Sequence, residues 1–316
     1  MKMGRQTTDT LLLIKPSTFG YNELSSQNNY FQNRSSLGDK DLINKAISEF
    51  NVFRDLLIKK GINVISVDYG SEEYLPDAVF PNNWFATFED GTIIYFPLQS
   101  ENRRSERKHE ILKKNLSDYI IKREIDLTNY EKEGFYLEST GSVVIDRTNN
   151  MAYACSSPRT SRALFDIFCS TVNIPVTSRI FFEAKDKNGR DIYHTNVVLS
   201  IGEGFCVICS NILSGRYRNR LISRFNELDM EIIEIDFDQM NNFCANVLHI
   251  SDSGGKYFIL MSERAFRAFM KEQISKLEKF GEIIYSDIST IEEVGGGSAR
   301  CMVAEIFLPP KKIADK

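Results

Sequence analysis

The sequence predicts an α/β fold, a five-bladed pseudo-symmetric propeller of ββαβ units closed by the N- and C-terminal strands. Three observations predict it. Four units of strand–turn–strand–helix–strand stand in series, with first strands beginning near residues 84, 142, 195 and 246. A repeat of ~50 residues signals a propeller or solenoid. Cys301 opens another strand about one period later that has no helix after it, while the first strand of the chain has no leading partner. Joining the two ends gives a fifth unit, and closing the ring removes exposed blade faces. Residues 1–316 then form a single catalytic domain, in place of the two domains that length alone suggests.

In order, Thr10 to Ile14 reads as a short apolar strand stopped by Pro16. Residues 17–40 are polar but carry Phe19, Tyr21, Tyr30 and Phe31, which favours a packed loop or a lid over disorder. Asp41 to Lys60 is helical, with Leu42, Ala46, Phe50, Phe53 and Leu57 on one stripe and Gly61 as its stop. Asn63 to Asp68 is the following strand. Trp84–Phe88, a turn at Glu89–Gly91 and Thr92–Pro97 form a hairpin, followed by a charged helix from Arg103 to Leu116 and a strand from Ile121 to Leu127. The same order repeats from Ser142 (hairpin to Cys155, helix Arg159 to Cys169, strand Arg179 to Glu183) and from Thr195 (hairpin to Ser210, helix Arg216 to Leu228, strand Glu231 to Asp236). It repeats again from Asn246, with a hairpin to Met261, a helix from Glu263 to Phe280 and a strand from Glu282 to Asp287. Met302 to Leu308 is the closing strand.

Composition narrows the class. Hydrophobic content of 42% and charged content of 26% are those of an ordinary globular protein. A net charge of −4 and a pI near 5.6 argue against nucleic acid as a partner. The charged run Arg103 to Lys114 interleaves Glu106 and Glu110, as a solvated helix face does. No apolar run reaches the ~20 residues of a membrane helix. Lys2 and Arg5 precede only a four-residue apolar run, Leu11–Ile14, too short for a signal peptide core. A cytoplasmic location is expected, with disulfides among the six cysteines not expected. Cys206 and Cys209 form one CxxC inside an apolar strand with no second pair nearby, so no metal site is expected. Homo-oligomer formation is left open by the sequence.

The chemistry stands at the heads of the units. Asp77 to Asn83 precedes Trp84, Glu138 to Gly141 precedes Ser142, His194 precedes Thr195, and Cys301 precedes Met302. Equivalent strand heads in a pseudo-symmetric ring converge on one end of the axis, so a carboxylate, an imidazole and a thiol would meet there. Each alone has a plain reading: a solvated glutamate, a hydrogen-bonded histidine, a core cysteine. Their shared position in the repeat favours function, because a thiolate nucleophile with an imidazole to move protons is what covalent catalysis at an sp² carbon requires. Gly295, Gly296 and Gly297 before Cys301 would let the backbone pass close to a substrate.

These segments resemble the guanidino-group-modifying (pentein) superfamily, and within it the citrulline-utilization hydrolase, or amidinotransferase-like, branch related to arginine deiminases and dimethylarginine dimethylaminohydrolases. The matching segments run over almost the whole chain: residues 19–22, 29–32, 76–85, 137–142, 153–160, 193–198 and the glycine-rich stretch at Cys301. Ser139 departs from the glycine that usually follows the glutamate. The resemblance implies Cys301 as nucleophile, His194 as general acid/base, and Glu138 as the carboxylate that orients His194 or the substrate. It also implies substrate binding by Asp77, Asn82, Asn83, Arg103, Arg159 and Asn196, the two arginines taking the α-carboxylate of a free amino acid.

Arginine deiminases hold the guanidinium with acidic residues at positions similar to Asn83 and Asn196. A buried cation wants carboxylates, whereas two amides can donate to a carbonyl and accept from an amine. The pair therefore favours citrulline, hydrolysed to ornithine, carbon dioxide and ammonia without metal or organic cofactor. Arginine hydrolysis, once to citrulline or twice to ornithine, is the enzymatic alternative, and amidinotransfer a further one. A catalytically silent ring that binds an amino acid as a sensor is the non-enzyme alternative, against which the retention of Glu138, His194 and Cys301 together argues.

Overall fold

The computed structural model describes residues 4–311, so Lys2 lies outside the described residues. The strands are β1 (Thr10–Ile14), β2 (Asn63–Val67), β3 (Phe85–Thr87), β4 (Thr92–Tyr95), β5 (Arg123–Asp126), β6 (Val143–Asp146), β7 (Met151–Cys155) and β8 (Arg179–Phe182). They continue as β9 (Leu199–Gly202), β10 (Phe205–Ile208), β11 (Glu231–Glu234), β12 (Leu248–Ser251), β13 (Tyr257–Ser262), β14 (Glu282–Ser286) and β15 (Ala304–Glu305). They form five three-stranded mixed sheets. In four of them a hairpin pairs antiparallel and its second strand pairs parallel with the strand that follows the helical segment. The fifth has the same pattern across the termini: β15 lies antiparallel to β1, and β1 parallel to β2.

The first strands of the sheets are tied to one another laterally. Thr87 of β3 donates to Glu305 O of β15 and accepts from Phe307 N, at 2.9 and 2.8 Å. Gln6 Nε2 donates to Ile145 O of β6 and Ile201 O of β9. Thr8 accepts from Ser251 N at the end of β12 and donates to Ile306 O. The N-terminal segment thus stitches three sheets together where their own backbones do not pair.

The helices are α1 (Asp39–Lys59), α2 (His109–Asn115), α3 (Ser139–Ser142), α4 (Arg162–Thr171), α5 (Gly215–Glu227), α6 (Phe237–Asn241), α7 (Glu263–Ala268), α8 (Lys271–Leu277) and α9 (Ser289–Gly295). The stripe of α1 is as the spacing predicts: Leu42, Ala46, Phe50, Phe53 and Leu57 are buried, while Val52 is 59% exposed. Glu49, on the same helix, accepts from Thr290 N and Ile291 N and so anchors the start of α9. None of the described helices is long and apolar enough to cross a membrane. Among the described residues the six cysteines are free and buried.

Four expected elements differ, each for a local reason. The charged helix from Arg103 is a 3₁₀ turn (Glu101–Glu106) followed by the shorter α2. In the tighter turn residues i and i+3 eclipse, so Arg103 and Glu106 both point inward, and the solvated face expected there is lost at those two positions. The helix expected from Arg159 starts at Arg162, leaving Arg159 free to enter the core. The helix from Glu263 breaks at Phe269 and Met270, both extended, and α8 restarts where the buried Gln273 side chain accepts from Met270 N. The closing strand is only β15, because residues 298–303 fold into local turns in which Cys301 N and Met302 N donate to Ser298 O. The helices α6 and α9 were not foreseen from periodicity, being too short to show it.

Replacing Phe50 with Ala is expected to cost about 3–5 kcal/mol and Val52 with Ala less than about 0.5 kcal/mol, read as shifts of the urea midpoint at constant slope.

Candidate active site

Cys301 is 4% exposed and sits in the turn that follows α9 and the three glycines. Two side-chain amides face its sulfur: Asn246 Nδ2 at 3.3 Å and Asn196 Nδ2 at 3.6 Å. Arg300 N donates to Asn246 Oδ1 at 3.1 Å, which fixes the Asn246 amide with its nitrogen toward the thiol. Burial pushes the Cys301 thiol up, while hydrogen bonds from the Ser298 backbone, Asn246 and Asn196 and the charge of Arg300 oppose the shift. Gly296 carries a φ of +63°, and a Cβ there would lie 2.7 Å from Gln32 Cγ and 2.8 Å from Asn29 Nδ2. Its carbonyl accepts from Asn29 and from the Tyr193 hydroxyl, at 3.2 and 2.7 Å. The glycine is therefore needed both for its backbone angle and for the closeness of the 17–40 loop.

His194 lies at the head of the third unit and Glu138 at the head of the second. His194 Nε2 is 2.7 Å from Glu138 Oε2. Burial alone would raise the Glu138 carboxyl, but the Arg159 guanidinium and the His194 hydrogen bond hold it well below the usual carboxylate range. An ionised carboxylate only accepts, so Nε2–H donates to it and Nδ1 is the nitrogen left for chemistry. Burial pushes His194 down to about 4, against the pull of Glu138. The resting pair is thus a neutral imidazole and a neutral thiol. A Cβ on Gly141 would meet Asn83 Nδ2 at 2.6 Å and His194 Nδ1 at 2.8 Å, so a side chain there would wedge between the two groups. Ser139 has a φ of +40°. That left-handed backbone is why glycine suits the position, and here the serine is held by its hydroxyl, which donates to Phe85 O at 2.9 Å.

A ring of buried charge surrounds these groups. Arg103 Nε and Nη2 donate to Glu106 at 2.9 Å each, Nη1 donates to Asn83 Oδ1 at 2.8 Å, and Asp77 lies 3.6 Å away. Burial pushes the Glu106 carboxyl up to about 7, the charge and hydrogen bonds of Arg103 offsetting only part of that rise. Arg159 donates to Asn28 Oδ1, to Ser25 O and, at 3.4 Å, to Glu138, and stands over the Tyr193 ring. Asp77 accepts from Asn22, Ser25 and Gln32. Three carboxyl groups (Asp77, Glu106, Glu138) thus stand around two guanidiniums (Arg103, Arg159) in a place with almost no exposure.

Of the residues singled out from the sequence, Asp77, Asn83, Arg103, Arg159, His194 and Cys301 line one small cavity together with the glycine turn. Glu138 stands behind His194, and Asn196 reaches Cys301 from the side. Asn82 is not brought to the cavity: it is fully buried, its side chain has no partner among the described residues, and its carbonyl accepts from Thr140. Sequence reasoning missed Asn246, Glu106 and Tyr193. Asn246 could have been found, since it heads the fourth unit much as Asn83 and Asn196 head theirs. Nothing in the sequence marks Glu106, whose inward turn depends on the 3₁₀ geometry. Among the described residues no group of three or more His, Cys, Asp or Glu side chains is placed to hold a metal ion.

Residues 15–308 match the model of the eukaryotic N,N-dimethylarginine dimethylhydrolase family. No curated protein sequence matches the chain. Among solved structures, the chain is similar to ArgZ, an arginine dihydrolase from the ornithine–ammonia cycle in cyanobacteria, with 14% identity and a TM-score of 0.71 over 96% of this chain. The chain spans 41% of that ArgZ chain. It covers 99% of the separate N-terminal domain of ArgZ bound to substrate, with 14% identity, a TM-score of 0.69 and 95% of this chain aligned. A dimethylarginine dimethylaminohydrolase adduct with S-methyl-L-thiocitrulline matches with 18% identity and a TM-score of 0.62, over 94% of this chain and 98% of its own. At these identities the structures share the fold, a pentein-like α/β architecture.

Alkylation of Cys301 by iodoacetamide is expected to titrate above the ordinary thiol value of about 8.5. Asn246→Ala should move that titration further up, because it removes a hydrogen bond that stabilises the thiolate. A midpoint unchanged by the substitution would deny Asn246 this role.

Proposed function

Since the chain belongs to the N,N-dimethylarginine dimethylhydrolase family, we propose that it is a cysteine hydrolase acting on the guanidino group of free arginine. Arginine and two waters give ornithine, carbon dioxide and two ammonia. The observation that carries this reading is the cavity shared by Cys301 and a Glu138-backed His194, among three buried carboxyl groups and two guanidiniums. With Glu106 raised to about 7, a guanidinium entering beside it draws the carboxyl to its ionised form and is balanced by it, which a neutral ureido group does not do. The description of ArgZ as an arginine dihydrolase points the same way. The five sheets are read as the blades of one closed propeller, a pentein, and 1–316 as one catalytic domain.

In this mechanism Asp77 and Arg159 are matched to the zwitterion of the amino acid, since their partners on the 22–32 loop are neutral groups that charged ones can displace. Arg103 is tied to Glu106 and serves to hold Asn83. The approach of a cationic guanidinium lowers the Cys301 thiol, which loses its proton to His194 Nδ1. The thiolate adds to the guanidinium carbon, and the tetrahedral adduct breaks a C–N bond as His194 returns the proton to departing ammonia. His194 then takes a proton from water, which adds to the same carbon. Loss of the second ammonia leaves a thiocarbamate, and a second water releases carbon dioxide and ornithine.

The amide pair supports citrulline as a second reading. Asn83 Nδ2 and Asn196 Oδ1 are both buried without a partner among the described residues. One can donate to a ureido oxygen and the other accept from a ureido N–H. In the dihydrolase mechanism the same two groups serve the oxygen-bearing adducts of the second half.

With purified protein on arginine, citrulline and dimethylarginine, the expected outcome is ornithine from arginine with two ammonia per ornithine. Ornithine from citrulline alone would replace the first reading by the second. Release of dimethylamine from dimethylarginine without action on arginine would sink both. Cys301→Ala is expected to lower kcat by at least about 10³-fold with the fold intact by circular dichroism.

A further inference from the structure

A second cavity, of about 40 Å³, is walled by β6, β9 and β12, with Gln6, Thr140, Arg147, Asn196, Arg300 and Glu305 also lining it. It holds an unusual charge. Arg147 is 4% exposed, and among the described residues it makes no ion pair. Its guanidinium lies over Phe307 at 3.8 Å and Phe88 at 5.1 Å, and Nη2 donates to Thr87 O at a long 3.4 Å. Nη1 is buried with no partner among the described residues.

The other groups facing the cavity do not answer this charge. Arg300 and Glu305 neutralise each other through a 2.6 Å contact. Glu89 acts on Arg147 from a distance but is largely exposed and paired with Arg5. His249 is neutral, since burial takes it down to about 4, and its ring nitrogens are engaged by Glu203 N and Phe280 O. Gln6 is spent on Ile145 O, Ile201 O and Arg147 N. Burial lowers Arg147 only to about 10, so it stays a cation at neutral pH. Leaving such a cation without a counter-charge costs several kcal/mol, and aromatic faces offset part of that. One further donor lines the same cavity: the Ser200 hydroxyl, buried and without a partner among the described residues.

We propose that this cavity binds one small monovalent inorganic anion, held by Arg147 Nη1 and the Ser200 hydroxyl. Both groups donate, the net charge is +1, and the volume has room for an ion of a few atoms at most. Halide and bicarbonate share this chemistry. The inference does not rest on the proposed substrate, although Asn196 and Arg300 border both this cavity and the surroundings of Cys301.

The test is thermal unfolding at fixed ionic strength, with bulky gluconate exchanged for bromide in one arm and for bicarbonate in the other. Above half-saturation, each tenfold increase in a bound anion should raise Tm by about 2 °C, and the arm with the larger rise names the occupant. Arg147→Met keeps the contact with both rings and should abolish the rise. Should that variant not fold, Ser200→Ala is the second reading, expected to shift the half-saturating concentration upward several-fold. Crystals grown in bromide should show an anomalous peak within hydrogen-bond distance of Arg147 Nη1. A Tm indifferent to anion identity, or bromide peaks elsewhere on the protein with none in this cavity, would overturn the proposal.

Discussion

A fully buried carboxylate that must stay ionised governs the site. Glu138 has no exposure, and its charge is held by Arg159, by His194 and by Gln99 N, which donates to Oε1 at 3.0 Å. Because it is an anion, it takes the Nε2 proton of His194 and leaves Nδ1 as the nitrogen free to exchange protons. Because it attracts Arg159, it also draws in the 22–32 loop, whose Asn28 and Ser25 cap the same guanidinium. Removing either partner would strand a charge in the core, and stranding a buried charge costs several kcal/mol. The orientation of His194 and local stability therefore rest on the same contacts.

The other side of the cavity is built without charge. Cys301 meets two amides, its turn is held by Tyr193 and Asn29 through Gly296 O, and Asn246 is oriented by Arg300 N. Burial raises the thiol and lowers the imidazole, so both rest neutral; in the proposed mechanism the thiol ionises only when a cation enters. The 17–40 segment, expected as a packed loop or a lid, is packed here: Phe19, Asn22, Ser25, Asn29 and Gln32 are buried against the glycine turn, Asp77 and Arg159.

Much of this was legible in the sequence, and the reason is the repeat. A period of ~50 residues locates every strand head, and Glu138, His194 and Cys301 stand at three of them. The pairing of β1 with β15 followed from a missing strand at one end and a missing helix at the other. What escaped notice has a common cause, since side chains that turn inward from irregular backbone leave no periodic trace. Glu106 read as part of a solvated face because its 3₁₀ turn has no signature in hydrophobicity, and Arg103 was singled out only by the resemblance. Asn82 read like its neighbour Asn83, but only Asn83 is met by Arg103 and faces the cavity. The substrate preference shifted for a similar reason. Two amides visible in the sequence suggested a neutral ureido group, whereas the third buried carboxyl, Glu106, is evident only with the side chains in place and is the ground for proposing a guanidinium.

The central claim is a covalent bond between Cys301 and the guanidino carbon of arginine. Acid quenching of the protein during steady turnover of arginine, followed by proteolysis and mass spectrometry, tests it directly. The account predicts an adduct on the peptide containing Cys301, with the mass of arginine less one ammonia or of a later intermediate on the same sulfur. Sustained turnover with Cys301 unmodified, or with the label on another residue, would contradict it.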